Sequence, residues 1–207
     1  TKKNRIGTKL ILPDGREFTY NLAGEAITAG KVTMGAAHPA SDHIKDRAVA
    51  VAAAVGDKTI TVTNGGSTAV TANMFDDGYL FVNDGAGEGQ TFKIKSHTTA
   101  ATSANFVITL YDNDSVRTAL TTSSEVGFQK ALGSDVEVWD HDDITGPPLG
   151  VPACDVASGE YFWNQIKGPA AVLATGTVVL GRNVMTANAD GTAIVMADDS
   201  SAEFLIG

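Results

Sequence analysis

A chain of 207 residues, 43% of them hydrophobic and 19% charged, has ordinary globular composition and can bury a substantial core as one large or two small domains. Its net charge of −9 and pI near 4.7 argue against direct nucleic-acid binding, which needs clustered Lys and Arg to neutralise phosphates. The single cysteine, Cys154, excludes an intrachain disulfide and a multi-cysteine zinc site. The longest apolar run, residues 48–55 (AVAVAAAV), falls far short of the roughly 20 residues of a membrane helix.

Lys2, Lys3, Arg5 and Lys9 open the chain with four cations and no acid. No apolar stretch of a secretory signal follows them, so synthesis inside the cell is expected. Two alternatives stand for this segment: a solvated terminus, or an arm whose Lys2, Lys3, Arg5, Ile6 and Lys9 contact a partner. As an arm it is expected to be mobile until that partner supplies compensating contacts. Next, residues 10–12, Pro13-Asp14-Gly15 and residues 17–20 predict strand, turn and strand. Residues 22–34 (LAGEAITAGKVTM) match 173–185 (LATGTVVLGRNVM) at Leu22/Leu173, Ala23/Ala174, Gly30/Gly181, Lys31/Arg182 and Met34/Met185, which either chance or an internal repeat explains.

Residues 38–45 are polar and loop-like, and 48–55 predict a strand. The alternation in 59–63 (TITVT), followed by Asn64-Gly65, predicts a hairpin whose second strand lies near 68–71. Residues 78–83 (GYLFVN) and 90–95 (QTFKIK) predict strands about a glycine-rich turn, with Phe92 and Ile94 on one face. A further strand is predicted at 105–111 (NFVITLY), then a mixed stretch at 115–130 with room for a short helix. Residues 135–139 (DVEVW) close this middle part, and 141–152 (HDDITGPPLGVP) read as a linker. Residues 158–184 predict three short strands in a meander, with Tyr161, Trp163, Ile166, Val172 and Val178 in the core. Residues 192–196 and 202–206 predict closing strands. The expected fold is all-β: a small β-barrel or sandwich base built from both chain ends, residues 1–45 and 145–207, with an inserted β-rich lobe at 46–144.

The candidate chemistry fails on spacing or on partners. Gly85, Gly87 and Gly89 suggest a phosphate loop, but a dinucleotide fingerprint needs glycine where Gln90 stands, and a hairpin turn is expected instead. Asp140, His141, Asp142 and Asp143 carry metal-ligating groups, yet adjacent residues point apart and a solvated acidic loop is expected. Asp112-Asn113-Asp114 lacks the glycine and the glutamate of a calcium loop, with Arg117 and Ser123 in their places. His38, His43 and His97 show no spacing for a shared site, although a triad assembled in space is not a matter of sequence order. Cys154 has no nearby cation to activate it and is expected to be a small buried filler. No enzyme activity, metal or cofactor is expected.

Two regions carry a family resemblance. LAGEAITAGKVTM, with residues 148–191 (PLGVPACDVASGEYFWNQIKGPAAVLATGTVVLGRNVMTANADG), resembles the small β-barrel cement or decoration proteins of tailed-bacteriophage capsids. Residues 74–97 (MFDDGYLFVNDGAGEGQTFKIKSH) resemble a segment of larger phage structural proteins. The middle lobe departs from the small cement proteins by its size. The resemblance implies a virion protein on the capsid exterior that binds the assembled shell and stabilises contacts between shell subunits. It further implies the major capsid protein as partner and a homo-oligomer, trimer ahead of dimer. The alternatives are another virion component, such as a tail, fibre or adsorption protein, and a glycan-binding or glycan-processing domain.

Overall fold

A computed structural model describes residues 1–179, 181–187 and 190–195. They are all-β; the only helical element among them is a 3-10 turn at Ser41–His43. Two compact units result, one made of Thr1–Ala37 with Leu132–Gly207, the other of His38–Ala131. The divisions fall near 37 and 131, not at the expected 45 and 144. Residues 38–43 belong with the second unit because His38 and His43 bond within it. The chain after Leu132 instead supplies strand β10 to the first unit.

The second unit is a closed barrel of β4 (Arg47–Val51), β5 (Thr59–Thr63), β6 (Tyr79–Asp84), β7 (Thr91–His97), β8 (Asn105–Leu110) and β9 (Glu125–Gln129), in the order β4-β5-β8-β7-β6-β9. All neighbours are antiparallel, and β9 closes the ring by pairing with both β6 and β4. Period-two alternation puts Ile60 and Val62, Leu80 and Val82, Phe92 and Ile94, and Phe106, Ile108 and Leu110 inside, all buried. The expected hairpin after Asn64-Gly65 does not form. β5 pairs instead with β4 and β8, and Val70 makes only an isolated bridge to Ala100. The stretch 115–130 holds strand β9 and no helix.

The first unit carries a six-stranded antiparallel sheet in the order β1-β2-β12-β11-β3-β10. Its strands are β1 (Lys9–Ile11), β2 (Glu17–Leu22), β3 (Thr33–Met34), β10 (Glu137–Val138), β11 (Pro148–Pro152) and β12 (Tyr161–Lys167). The sheet curls back on itself just before β10. There Val136 forms a parallel bridge with Ala23, its N–H donating to Leu22 O at 2.8 Å while Gly24 N–H donates to Val136 O at 2.9 Å. Gly24 permits this approach, since a Cβ there would stand 2.9 Å from the Asp135 carbonyl oxygen. Inside lie Ala23, Ile27, Val136, Val156 and Phe162, with a second cluster of Val32, Met34 and Trp139. A separate hairpin joins β13 (Val184–Thr186) to β14 (Ala193–Val195).

Several expectations for this unit are corrected. The linker 141–152 contains β11. Of the three-strand meander only β12 and the start of β13 exist among the described residues, and 166–179 is an exposed stretch. Tyr161 and Trp163 are half-buried, while Ile166, Val172 and Val178 are exposed. The cause is strand alternation: the inward residues of β12 are Phe162 and Asn164, and Tyr161 and Trp163 take the other face. On that face they pack on Tyr20 at ring-centroid distances of 5.5 and 5.1 Å. Ile166, at the bulge between Gln165 and Lys167, and the chain after Gly168 have left the ladder, so apolar character alone no longer buries them. The expected strand at 202–206 lies outside the described residues. The matched segments 22–34 and 173–185 share local features. Ala23 and Ala174 each form an isolated parallel bridge, and Gly30 and Gly181 both have left-handed φ, +79° and +84°.

Phe162→Ala empties the base core and is predicted to cost about 3–5 kcal/mol, while Val172→Ala on the exposed stretch stays within about 0.5 kcal/mol. Urea denaturation of the two variants checks this order.

Candidate functional site

The basic segment does not stand free of the base. Ile6 is buried, its Cγ2 within 3.0 Å of where a Cβ on Gly133 would sit. Gly7 N–H donates to Tyr20 O at 2.8 Å, Tyr20 N–H to Thr8 O at 2.9 Å, and Lys3 N–H to the Tyr20 hydroxyl at 3.1 Å. Gly7 makes this path possible with φ +84°. The expectation of a mobile arm is therefore corrected: one apolar anchor, two backbone–backbone hydrogen bonds and one bond to the Tyr20 hydroxyl dock it on its own sheet. Lys2, Lys3, Arg5 and Lys9 remain exposed around that anchor.

Next to the segment runs β1, whose sole ladder partner among the described residues is β2 and whose Lys9, Leu10 and Ile11 are all exposed. With Leu10 paired to Phe18, the backbone groups of Lys9 and Ile11 point away from β2, as antiparallel pairing requires. The same unit exposes Ile166, Val172, Leu173, Val178 and Val179. Beside them lies a cavity of about 330 Å³ lined by Arg16, Gly30, Val151, Gln165, Pro169 and Leu173. Its charged lining residue, Arg16, bonds Asp14 through Nε at 2.8 Å, and at the end of β12 Lys167 Nζ bonds Glu17 at 2.7 Å. Hydrogen bonds from the backbone and side chain of Arg16 hold Asp14 below the ordinary carboxylate range. The Lys167 hydrogen bond lowers Glu17, and Glu17 in turn raises Lys167. This face is apolar with neutralised rims and offers contact area more than chemistry.

The other sequence candidates are placed as follows. Gly85, Gly87 and Gly89 form the β6–β7 turn with φ between +78° and +86°. Beside Gly87 the space is taken by Gln90 and Leu120. The Gln90 amide donates to Gly87 O and Thr118 O and accepts from the N–H groups of Arg117 and Thr118, so the loop is braced from within. Asp140 Oδ1 accepts from the backbones of Asp142 and Asp143, which makes this acidic stretch a turn. Among the described residues no three His, Cys, Asp or Glu side chains are placed to hold a metal ion. Cys154 is exposed, not a buried filler, because it lies in the bend after β11 where the chain leaves the sheet.

Sequence spacing missed one constellation. His38, His43 and His97 surround Phe75 at ring-centroid distances of 6.1, 5.4 and 5.8 Å. Phe75 is fully buried and stacks on Phe128 at 5.1 Å. Asn64 holds the group together: its amide nitrogen donates to Thr68 O and Ala101 O, each at 3.0 Å, and its oxygen faces His43 Nε2 at 2.8 Å. Since that oxygen only accepts, His43 carries its proton on Nε2. The one available sequence signal was Asn64 itself, read as a turn former when it is a buried clamp.

Asn64→Asp would point carboxylate oxygens at two carbonyls and is predicted to cost about 3 kcal/mol, read from thermal or urea unfolding. For Glu17, whose folded value is depressed below 4.5, the contribution to stability is present above that value and lost as pH falls through the folded one. Glu17→Gln should accordingly flatten the acid limb of stability against pH below about 4.5, leaving neutral-pH stability little changed, as expected of an exposed pair. Lys167, raised above 10.5, gives the mirror behaviour in alkali.

No protein-family model matches this chain, and neither does any curated protein or solved structure.

Proposed function

We propose that this chain is a virion structural protein that binds the outer surface of an assembled phage capsid and stabilises contacts between shell subunits. It acts as a homo-oligomer, trimer ahead of dimer, with the major capsid protein as partner and without catalysis. The observation that carries this is the face of the first unit. Strand β1, which among the described residues is paired on one side only, the exposed apolar stretch 166–179 and the cations Lys2, Lys3, Arg5 and Lys9 lie on a unit built from the segments that resemble cement proteins. An exposed strand edge takes up a partner's strand through backbone hydrogen bonds, and apolar side chains beside it supply the burial. Surrounding cations add attraction to an acidic shell and speed the encounter. The barrel contributes no comparable edge, because its ring is closed.

Sedimentation of the purified chain with empty shells tests this. Saturable, stoichiometric binding that raises the heat resistance of the shells is expected; absence of binding to shells of the phage that encodes the chain overturns it. Ile11→Asp and Val172→Asp, both at exposed positions and checked for retained fold by circular dichroism, should weaken binding by about tenfold or more, which is the effect of about 1.4 kcal/mol. Alanine at Lys2, Lys3 and Lys9 should weaken it most at low salt, where screening is least.

A further inference from the structure

The three histidines of the barrel unit have their ring protons assigned by the hydrogen bonds around them, and the three assignments conflict in acid. His43 is fully buried, donates from Nε2 to Asn64 and has no partner for Nδ1. His97, whose side chain is fully buried, donates from Nδ1 to Thr98 O at 2.9 Å. Its Nε2 must then accept the Phe75 N–H at 3.1 Å. His38 places Nδ1 2.9 Å from Ala40 O and Nε2 3.0 Å from Phe128 O. Carbonyl oxygens only accept, so a neutral His38 satisfies one of them and a doubly protonated ring satisfies both.

We infer that this cage is an acid-sensitive latch on the loop that carries Phe75, residues 71–78, with His97 as the part that switches. A second proton on His97 sits on Nε2 and meets the Phe75 N–H, donor against donor. A group able to receive it is the Asp76 carboxylate, whose Oδ1 stands 3.8 Å from Nε2. Protonation thus exchanges an accepted bond from the Phe75 backbone for a donated bond to the Asp76 side chain, one residue along the same loop. A second proton on His43 meets no acceptor, which also works against the closed cage. His38 responds in the opposite sense and ties Ala40 more firmly to Phe128. The acid-released element is therefore the Phe75 loop and not the segment 38–40. The charged and titratable groups here are the three imidazoles, Asp76 and the neighbouring Asp77, whose carboxylate accepts the Tyr111 hydroxyl.

The loop is built to yield. Two of its non-glycine residues hold left-handed backbone, Asn73 at φ 62° and Asp77 at φ 60°, a conformation that persists only while its surroundings impose it. Its internal bonds are turn bonds at 3.4, 3.2 and 2.9 Å, from Met74, Asp76 and Gly78. The release follows the second protonation of the His97 ring, so it is expected on acidification.

Amide hydrogen exchange of the full chain at about pH 7.5 and about pH 5, corrected for intrinsic rates, tests the latch. Protection of the Phe75 amide is expected to fall about tenfold or more in acid while Ile60 and Ile108 in the barrel wall keep theirs. In His97→Gln, whose side-chain oxygen still accepts but does not titrate, the fall should vanish. Protection of Phe75 that is independent of pH, a fall shared equally by Ile60 and Ile108, or a fall that persists in His97→Gln would each overturn the inference. Should His97→Gln fail to fold, Asp76→Asn removes the negative charge that favours the doubly protonated ring and should likewise retain protection in acid; an undiminished acid loss in that variant has the same overturning force.

Discussion

Closure of the six-stranded ring by β9, paired on one side to β6 and on the other to β4, is the constraint on which the rest depends. An open sheet of this length would present two rows of unpaired backbone groups, whereas a closed one presents none and can fill its interior with side chains alone. Its strands contribute Val, Ile, Leu and Phe to that interior, nearly all fully buried. Because the ring is complete within His38–Ala131, the chain can enter after Ala37 and leave before Leu132 without borrowing a strand from elsewhere. The two chain ends are left to build a separate unit, and they do so by pairing β2 with β12 across most of their lengths.

Buried polar side chains act as joints in both units. Asn64 links the loops at 43, 68 and 101; Gln90 links the β6–β7 turn to 117–118. In the first unit Asn164, fully buried, donates to Thr33 Oγ1 at 2.8 Å, and Thr33 passes a bond to Gly150 O at 2.9 Å. This ties β12, β3 and β11 together where Gly150 breaks the register. Each joint serves backbone groups that irregular segments would otherwise bury unpaired, a cost of about 1–3 kcal/mol per group. Polar residues are thus spent where the ladders stop, and apolar ones where they run.

The two units differ in what they offer a partner. In the barrel unit polar and charged side chains are engaged locally, as in Lys95 with Asp112 and Arg117 with Asp114. Among its described residues the first unit gives β1 one neighbour, and it exposes a run containing Val172, Leu173, Val178 and Val179. The strand, with Leu10 and Ile11 exposed on it, is suited to strand addition, and the exposed apolar run to burial. The histidine cage, in contrast, is centred on the buried rings of Phe75 and His43, with His38 and His97 half-buried around them.

Strand existence and strand type were legible in the sequence at residues 10–12, 17–20, 59–63, 78–83, 90–95 and 105–111, where apolar patterning met turn signals, because alternation is a local consequence of the pleat. The all-β class was likewise within reach of pattern and composition. Which face of β12 turns inward was not, since Tyr161, Phe162 and Trp163 are adjacent bulky residues and only the register against Asn21 and Tyr20 selects Phe162. The docking of Ile6 depends on the absence of a side chain at Gly133, far along the chain. The gathering of His38, His43 and His97 about Phe75 has the same origin. Their sequence spacing carries no period, and they meet only because closing the barrel brings the loop before β4, the loop before β6 and the end of β7 together around one buried ring. Local chemistry along the chain determined the strands and turns, while long-range pairing decided which side chains share a space.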